Sequence, residues 1–154
     1  VVNDVITDTE EKITKEAIEN SSARLFPEGS LIIAMYGQGK TRGRTAKLGI
    51  ESSTNQACAV LFDINENIVL TDYLWVYLMN EYERLREMAS GNNQPNLNAQ
   101  MIKTYPLVIP PIDIQKQIVS YFLTQRKEIK LLREQAKKNR QNALSDFEKE
   151  IFKA

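Results

Sequence analysis

Lys40, Arg42, Arg44 and Lys47 fall within residues 37–47, a stretch that contains no acid and three glycines, Gly37, Gly39 and Gly43. Such a loop is suited to a polyanion. Its cations can neutralise phosphates, and an arginine can fork onto the O6 and N7 of guanine. Gln38 offers the donor–acceptor pair that matches adenine, and the glycines let the backbone approach a ligand closely. Tyr36 and Thr41 complete the candidate surface, although Tyr36 would equally serve as a core aromatic. A second polar cluster, Gln94, Asn96 and Asn98, follows Gly91. Amides at that density suit base edges, and they suit ordinary turns as well. The plainer reading of the first loop is a solvated basic hairpin tip.

Other chemistry is harder to build. Ala34 to Thr41 fits a relaxed phosphate-loop pattern after an apolar run, and Ala59 to Asp63 resembles a magnesium-holding strand. A phosphate loop must open directly into a helix whose N-terminus faces the phosphates. Here Gly43, Gly49, Thr41 and Thr45 follow, which is a poor helix. The chain has no histidine, which removes the commonest general base. Its single cysteine, Cys58, lies in an apolar run and reads as a buried small hydrophobe, which leaves no disulfide and no ordinary zinc site. No paired carboxylates stand in a convincing context, so the chain is expected to be non-catalytic.

Formal net charge is zero over 154 residues, so the distribution of charge carries the argument for a polyanionic partner. Residues 1–20 hold six acids against two lysines, whereas residues 126–140 hold seven cations against two acids. Only the basic segments can face phosphate. The basic face of residues 126–140 is most simply a solvated helix flank. No run reaches ~18 consecutive apolar residues, so a cytoplasmic protein with no membrane partner is expected.

The elements that must position these residues are partly legible. Ile13 to Ile18 suits a short helix capped by Thr14 and stapled by Ile13 and Ile18, and residues 27–30 a turn. Leu31 to Met35, Ala57 to Phe62, Asn67 to Leu70 and Tyr105 to Ile109 read as strands. A helix capped by Thr71 or Asp72 runs to about Ser90, with Leu74, Leu78, Tyr82, Leu85 and Ala89 as its apolar stripe and Gly91 at the C′ position. Trp75 and Tyr77 read as packing residues, and residues 91–100 as a polar loop. From Ile112 to about Phe152 there is no proline or glycine. Ile118, Phe122, Gln125, Ile129, Leu132, Ala136, Asn139 and Ala143 keep alternating spacings of four and three, which is a coiled-coil seam; beyond it the stripe slips to Leu144, Phe147 and Ile151. A helix of that length spans roughly 60 Å and needs a partner helix. The division expected is 1–111 for a globular domain and 112–154 for the rod.

Taken in order, Met35 to Arg44, then Thr54 to Ala59, then Gly91 with Gln94 to Asn98, then Pro110-Pro111-Ile112 with Gln115 and Gln117-Ile118-Val119 resemble the specificity subunits of type I restriction-modification systems. The likeness covers about residues 13–154, over the target-recognition domain and the conserved spacer helix. It implies a mixed α/β (α+β) fold, a twisted sheet with flanking helices followed by a long C-terminal coiled-coil helix. It implies recognition of one half of a bipartite target in double-stranded DNA. It also implies that the spacer pairs with a second spacer helix and docks methylation subunits, in a complex that includes a restriction subunit. No cofactor is expected on this chain, since S-adenosylmethionine, ATP and magnesium belong with the partner subunits. A complete specificity subunit carries two recognition domains and this chain has one, so a C-terminal fragment or a half-subunit dimerising through its helix is expected. The competing reading from another class is a coiled-coil interaction scaffold whose DNA-binding domain is degenerate. Nucleotide binding that depends on Lys40 would support a third reading, a small NTPase.

Overall fold

All four side chains of Leu31–Ala34 are buried, which requires a strand with neighbours on both edges and cover on both faces. The computed structural model, which describes residues 3–37, 39–90 and 96–153, places that run at the interior of a four-stranded sheet. In chain order the elements are β1 (Val5–Ile6), α1 (Lys15–Glu19), β2 (Leu25–Phe26), β3 (Leu31–Ala34), β4 (Thr45–Leu48), β5 (Ser52–Ser53) and β6 (Cys58–Leu61). They continue with α2 (Thr71–Asn80), α3 (Tyr82–Ser90), α4 (Ala99–Lys103) and α5 (Ile112–Ile151). The main sheet has the order β1-β4-β3-β6, antiparallel except for the parallel pair β1 and β4, while β2 and β5 form a separate antiparallel pair. The fold is mixed α/β with a long C-terminal helix.

Strand alternation decides what each face does. Leu31 and Ile33 point to one face, where with Met35 they meet Leu74, Trp75 and Leu78 of α2 and Leu85 and Ala89 of α3. Full burial of Leu31 and Ile33 stabilises by about 1.5–3 kcal/mol each. Register places Thr45 opposite Ile33 and Lys47 opposite Leu31, so both share this helix-covered face. Ile32 and its partners Ala46 and Val60 share the other face.

Several expectations are corrected. Asn67–Leu70 is no strand: Asn65 O accepts from the amides of Ile68 and Val69 at 2.9 and 3.1 Å, which closes a turn. The expected helix from residue 71 to 90 is interrupted at Glu81, the C-cap of α2, whose carboxylate is drawn inward. Neither Thr71 nor Asp72 caps α2. Leu70 is the N-cap and offers no side-chain bond, so its amide is satisfied by Gln115 Oε1 at 2.8 Å and that of Thr71 by Glu66 Oε1 at 3.2 Å. Thr14 does cap α1, its Oγ1 accepting from Ala17 N at 3.1 Å. Gly91, expected as a helix terminator, lies outside the described residues.

Tyr105–Ile109 is not a strand either. It lies along α2, whose residues 73, 77 and 81 recur every four positions and so share one face. Tyr73 donates its hydroxyl to Val108 O at 2.8 Å and Tyr77 to Pro106 O at 3.1 Å. Tyr105 donates to Glu81 Oε2 at 2.5 Å. This strap leads into Pro110-Pro111, where Pro111 O takes the first helical bonds of α5, from Ile114 N and Gln115 N at 2.9 and 3.1 Å. Gln115 is fully buried and fully used: its Nε2 donates to Pro110 O at 2.7 Å and Ile68 O at 3.0 Å, while Oε1 receives Leu70 N.

The chain divides into two compact units, Val1–Lys116 and Gln117–Ala154. The second holds the remainder of α5, a single helix of 40 residues in all that ends at Ile151. Its expected seam is largely uncovered: Ile118 is 39% exposed, Ile129 47% and Leu132 57%, with Ala136 and Asn139 also exposed and Phe122 half-buried beside Arg126. No helix among the described residues is long and apolar enough to cross a membrane.

Candidate nucleic-acid interface

The loop between β3 and β4 joins two antiparallel neighbours, so it is a hairpin connection and not the strand-to-helix turn a phosphate loop needs. At its base Gly43 N donates to Ala34 O and Ala34 N to Arg44 O, both at 2.9 Å, which sets two residues against one. Gly43 adopts the left-handed backbone (φ 81°) that this glycine-type bulge requires. Arg44 N closes the tip by donating to Thr41 O at 3.0 Å. The bulge re-aims the chain, so the residues before it leave the sheet as a finger.

On that finger Tyr36, Lys40 and Thr41 are exposed, and Arg42 and Arg44 are half-buried. Tyr36 is therefore a surface aromatic here and not a core one. Lys40 and Arg44 line an open recess of about 390 Å³ together with Asn3, Tyr82, Glu83 and Arg86. The recess holds three cations and one carboxylate. Gln38 and Gln94, both expected at the site, lie outside the described residues.

Lys47 is placed elsewhere. Because it lies opposite Leu31, its side chain emerges on the helix-covered face, and its Nζ donates to Asp72 Oδ1 at 2.7 Å. Its charge is thus engaged with the first turn of α2 and not offered from the finger.

Asn96 is brought to the base of the loop. The neighbouring Leu97 is fully buried and donates its amide to Met35 O at 3.0 Å, while Met35 N donates to Ala57 O at 2.8 Å. The cationic loop and part of the amide cluster therefore converge at the end of β3. Asn98 is spent on structure: its Oδ1 accepts from Met101 N at 2.9 Å and caps α4.

Sequence reasoning missed two residues at this site, Tyr82 and Arg86. Tyr82 was expected in the apolar stripe. Instead its hydroxyl donates to Lys40 O at 2.8 Å, and Arg86 Nη1 donates to Arg42 O at 3.1 Å. The available signal was an aromatic and an arginine four apart on one helix, a spacing that brings them together, and the Arg86 guanidinium lies 5.3 Å from the Tyr82 ring centroid.

A family model described as "Type I restriction modification DNA specificity domain" matches residues 2–140. The chain belongs to that family. Specificity domains of this kind are non-catalytic targeting domains. The family implies DNA binding and association with restriction-modification subunits. Among the described residues of this specificity domain, no group of three His, Cys, Asp or Glu is placed to hold a metal ion. Both the finger and the segment of Asn96 fall within the matched residues.

Proposed function

We propose that this specificity domain reads one half of a bipartite DNA target through the finger at the end of β3. Lys40 and Arg44, flanking the recess, contact backbone phosphates; Arg42 contacts a base edge or the adjoining phosphate. Gln38, Thr41, Tyr36, Gln94 and Asn96 supply the remaining recognition chemistry. Lys47 is not among the contacts. The observation that carries the reading is the finger itself: a bulged, glycine-bearing hairpin loop that presents Lys40, Arg42 and Arg44 beside the Asn96 segment.

The rod fits the second part of the proposal. α5 pairs with a second spacer helix through Ile118, Phe122, Ile129, Leu132, Ala136 and Asn139, and docks the methylation subunits. Adenine methylation with S-adenosylmethionine, and ATP- and magnesium-dependent cleavage with the restriction subunit, take place on those partners in the cytoplasm. Exposed apolar residues at heptad spacing support this pairing, and the polar Asn139 would set its register.

The reading is tested by selection of bound duplexes from a randomised pool, followed by sequencing. A short contiguous motif should enrich with the wild-type chain and fail to enrich with Arg42→Ala/Arg44→Ala. Enrichment of no motif, with retained partner binding that Ile129→Asp/Leu132→Asp abolishes, would instead favour the interaction-scaffold reading.

A further inference from the structure

The finger is held in place from α3. Tyr82 and Arg86 stand one helical turn apart, and each donates to a main-chain carbonyl on either side of Thr41, at Lys40 O (2.8 Å) and Arg42 O (3.1 Å). The guanidinium of Arg86 also stacks against the Tyr82 ring, so the two donors support one another. Gly43 completes the contact. A Cβ there would meet Arg86 Cγ at 3.3 Å and Tyr82 O at 3.4 Å, so the finger lies close against α3 here, while the left-handed φ of 81° is what calls for glycine.

We propose that Tyr82 and Arg86 are positioning residues for base reading. They grip the finger by its backbone and leave the side chains of Lys40 and Arg42 unspent. This inference rests on the finger being the DNA-reading element. Its logic is that two kinds of DNA contact tolerate looseness differently. Attraction to phosphate changes little if a cation moves by an ångström, whereas a guanidinium fork on a base edge is lost. A glycine-bearing loop without its brace would also have to be ordered at the moment of binding. Removing the brace should therefore weaken specific binding selectively.

The test compares the full chain with Tyr82→Phe, Arg86→Lys and Arg86→Ala. Affinity is measured for a duplex selected by the wild-type chain and for a scrambled duplex of equal length. Loss of one bond in Tyr82→Phe should lower the selected-to-scrambled affinity ratio about tenfold. The scrambled affinity and its salt dependence should stay unchanged, since neither side chain is assigned a phosphate. Arg86→Lys keeps a donor and should recover part of what Arg86→Ala loses. Independently of DNA, amide exchange at Gly43 and Arg44 should quicken in Tyr82→Phe while that of β3 stays slow. An unchanged ratio in all three variants, alongside a loss in Arg42→Ala, overturns the positioning role and leaves the finger as reader. A fall in the scrambled affinity and its salt slope with Arg86→Ala makes Arg86 a phosphate contact, which also overturns it. If Arg42→Ala and Arg44→Ala change nothing either, the reading of the finger itself fails.

Discussion

The finger and the junction where the strap meets the end of α2 and the start of α5 both carry polar residues, and they use them in opposite ways. In the finger the backbone is held by outside donors, Lys40 and Arg44 line the recess, and Arg42 is half-buried with its Nε left without a hydrogen-bond partner. At the junction the polar side chains themselves turn inward. Gln115 and Glu81 are buried, and each of their polar ends finds a partner. Polar side chains that are satisfied within the chain hold the fold together, and those whose backbone alone is satisfied remain available to a ligand. The contrast separates residues by role where composition does not.

The sharpest way to break this contrast is at Gln115. Gln115→Leu would take from Leu70 N, Ile68 O and Pro110 O the buried side-chain partner they share. Such a change should cost about 3 kcal/mol or more, read as a lowered urea midpoint. A loss below about 1 kcal/mol would show that water or a local shift satisfies these groups, and that the junction tolerates what is claimed only for the finger.

Glu81 gives the next largest effect and a pH signature. The Tyr105 hydroxyl, with Arg84 and Asn80, holds its carboxyl below the usual 4.5 against the opposing cost of burial. A carboxyl lowered in the folded state stabilises fully above its unfolded pKa, and that contribution is lost as pH falls through the lower folded value. Glu81→Gln should cost about 2 kcal/mol at neutral pH and flatten the acid limb of the stability curve. Tyr105 carries the converse signature, its hydroxyl pushed up to about 12 chiefly by burial and then by Glu81. Its contribution is complete below pH 10 and fades between there and about 12. An acid limb identical in Glu81→Gln and wild type would show that the bond from Tyr105 to Glu81 contributes nothing to stability.

Different physics made different parts of the molecule legible. β3 stood out because burial on both faces leaves a continuous apolar run, and α5 because forty residues carry no proline or glycine to stop a helix. β1, β2 and β5 have two residues each, too few for any alternation to register. Tyr105–Ile109 has strand-like composition, yet its partners are hydroxyls from a helix rather than a neighbouring strand. The cations of the finger were evident from their density, whereas the diversion of Lys47 to Asp72 depends on a register that no local pattern states. Gln115 stood in the stretch from Pro110 to Val119 singled out in the sequence, but its three bonds reach back 45 to 47 residues or to the preceding turn, and only the fold brings those groups together.

The most direct measurement of the central claim is the affinity of a selected duplex across a series of salt concentrations. Each phosphate contact contributes about 0.9 to the slope of log K against log salt. Lys40→Ala/Arg44→Ala should therefore lower that slope by about 2, while Lys47→Ala, whose charge is already met by Asp72, should leave it where it was. An unchanged slope in the double variant, or an equal fall with Lys47→Ala, would contradict the assignment of the finger as the DNA-reading element.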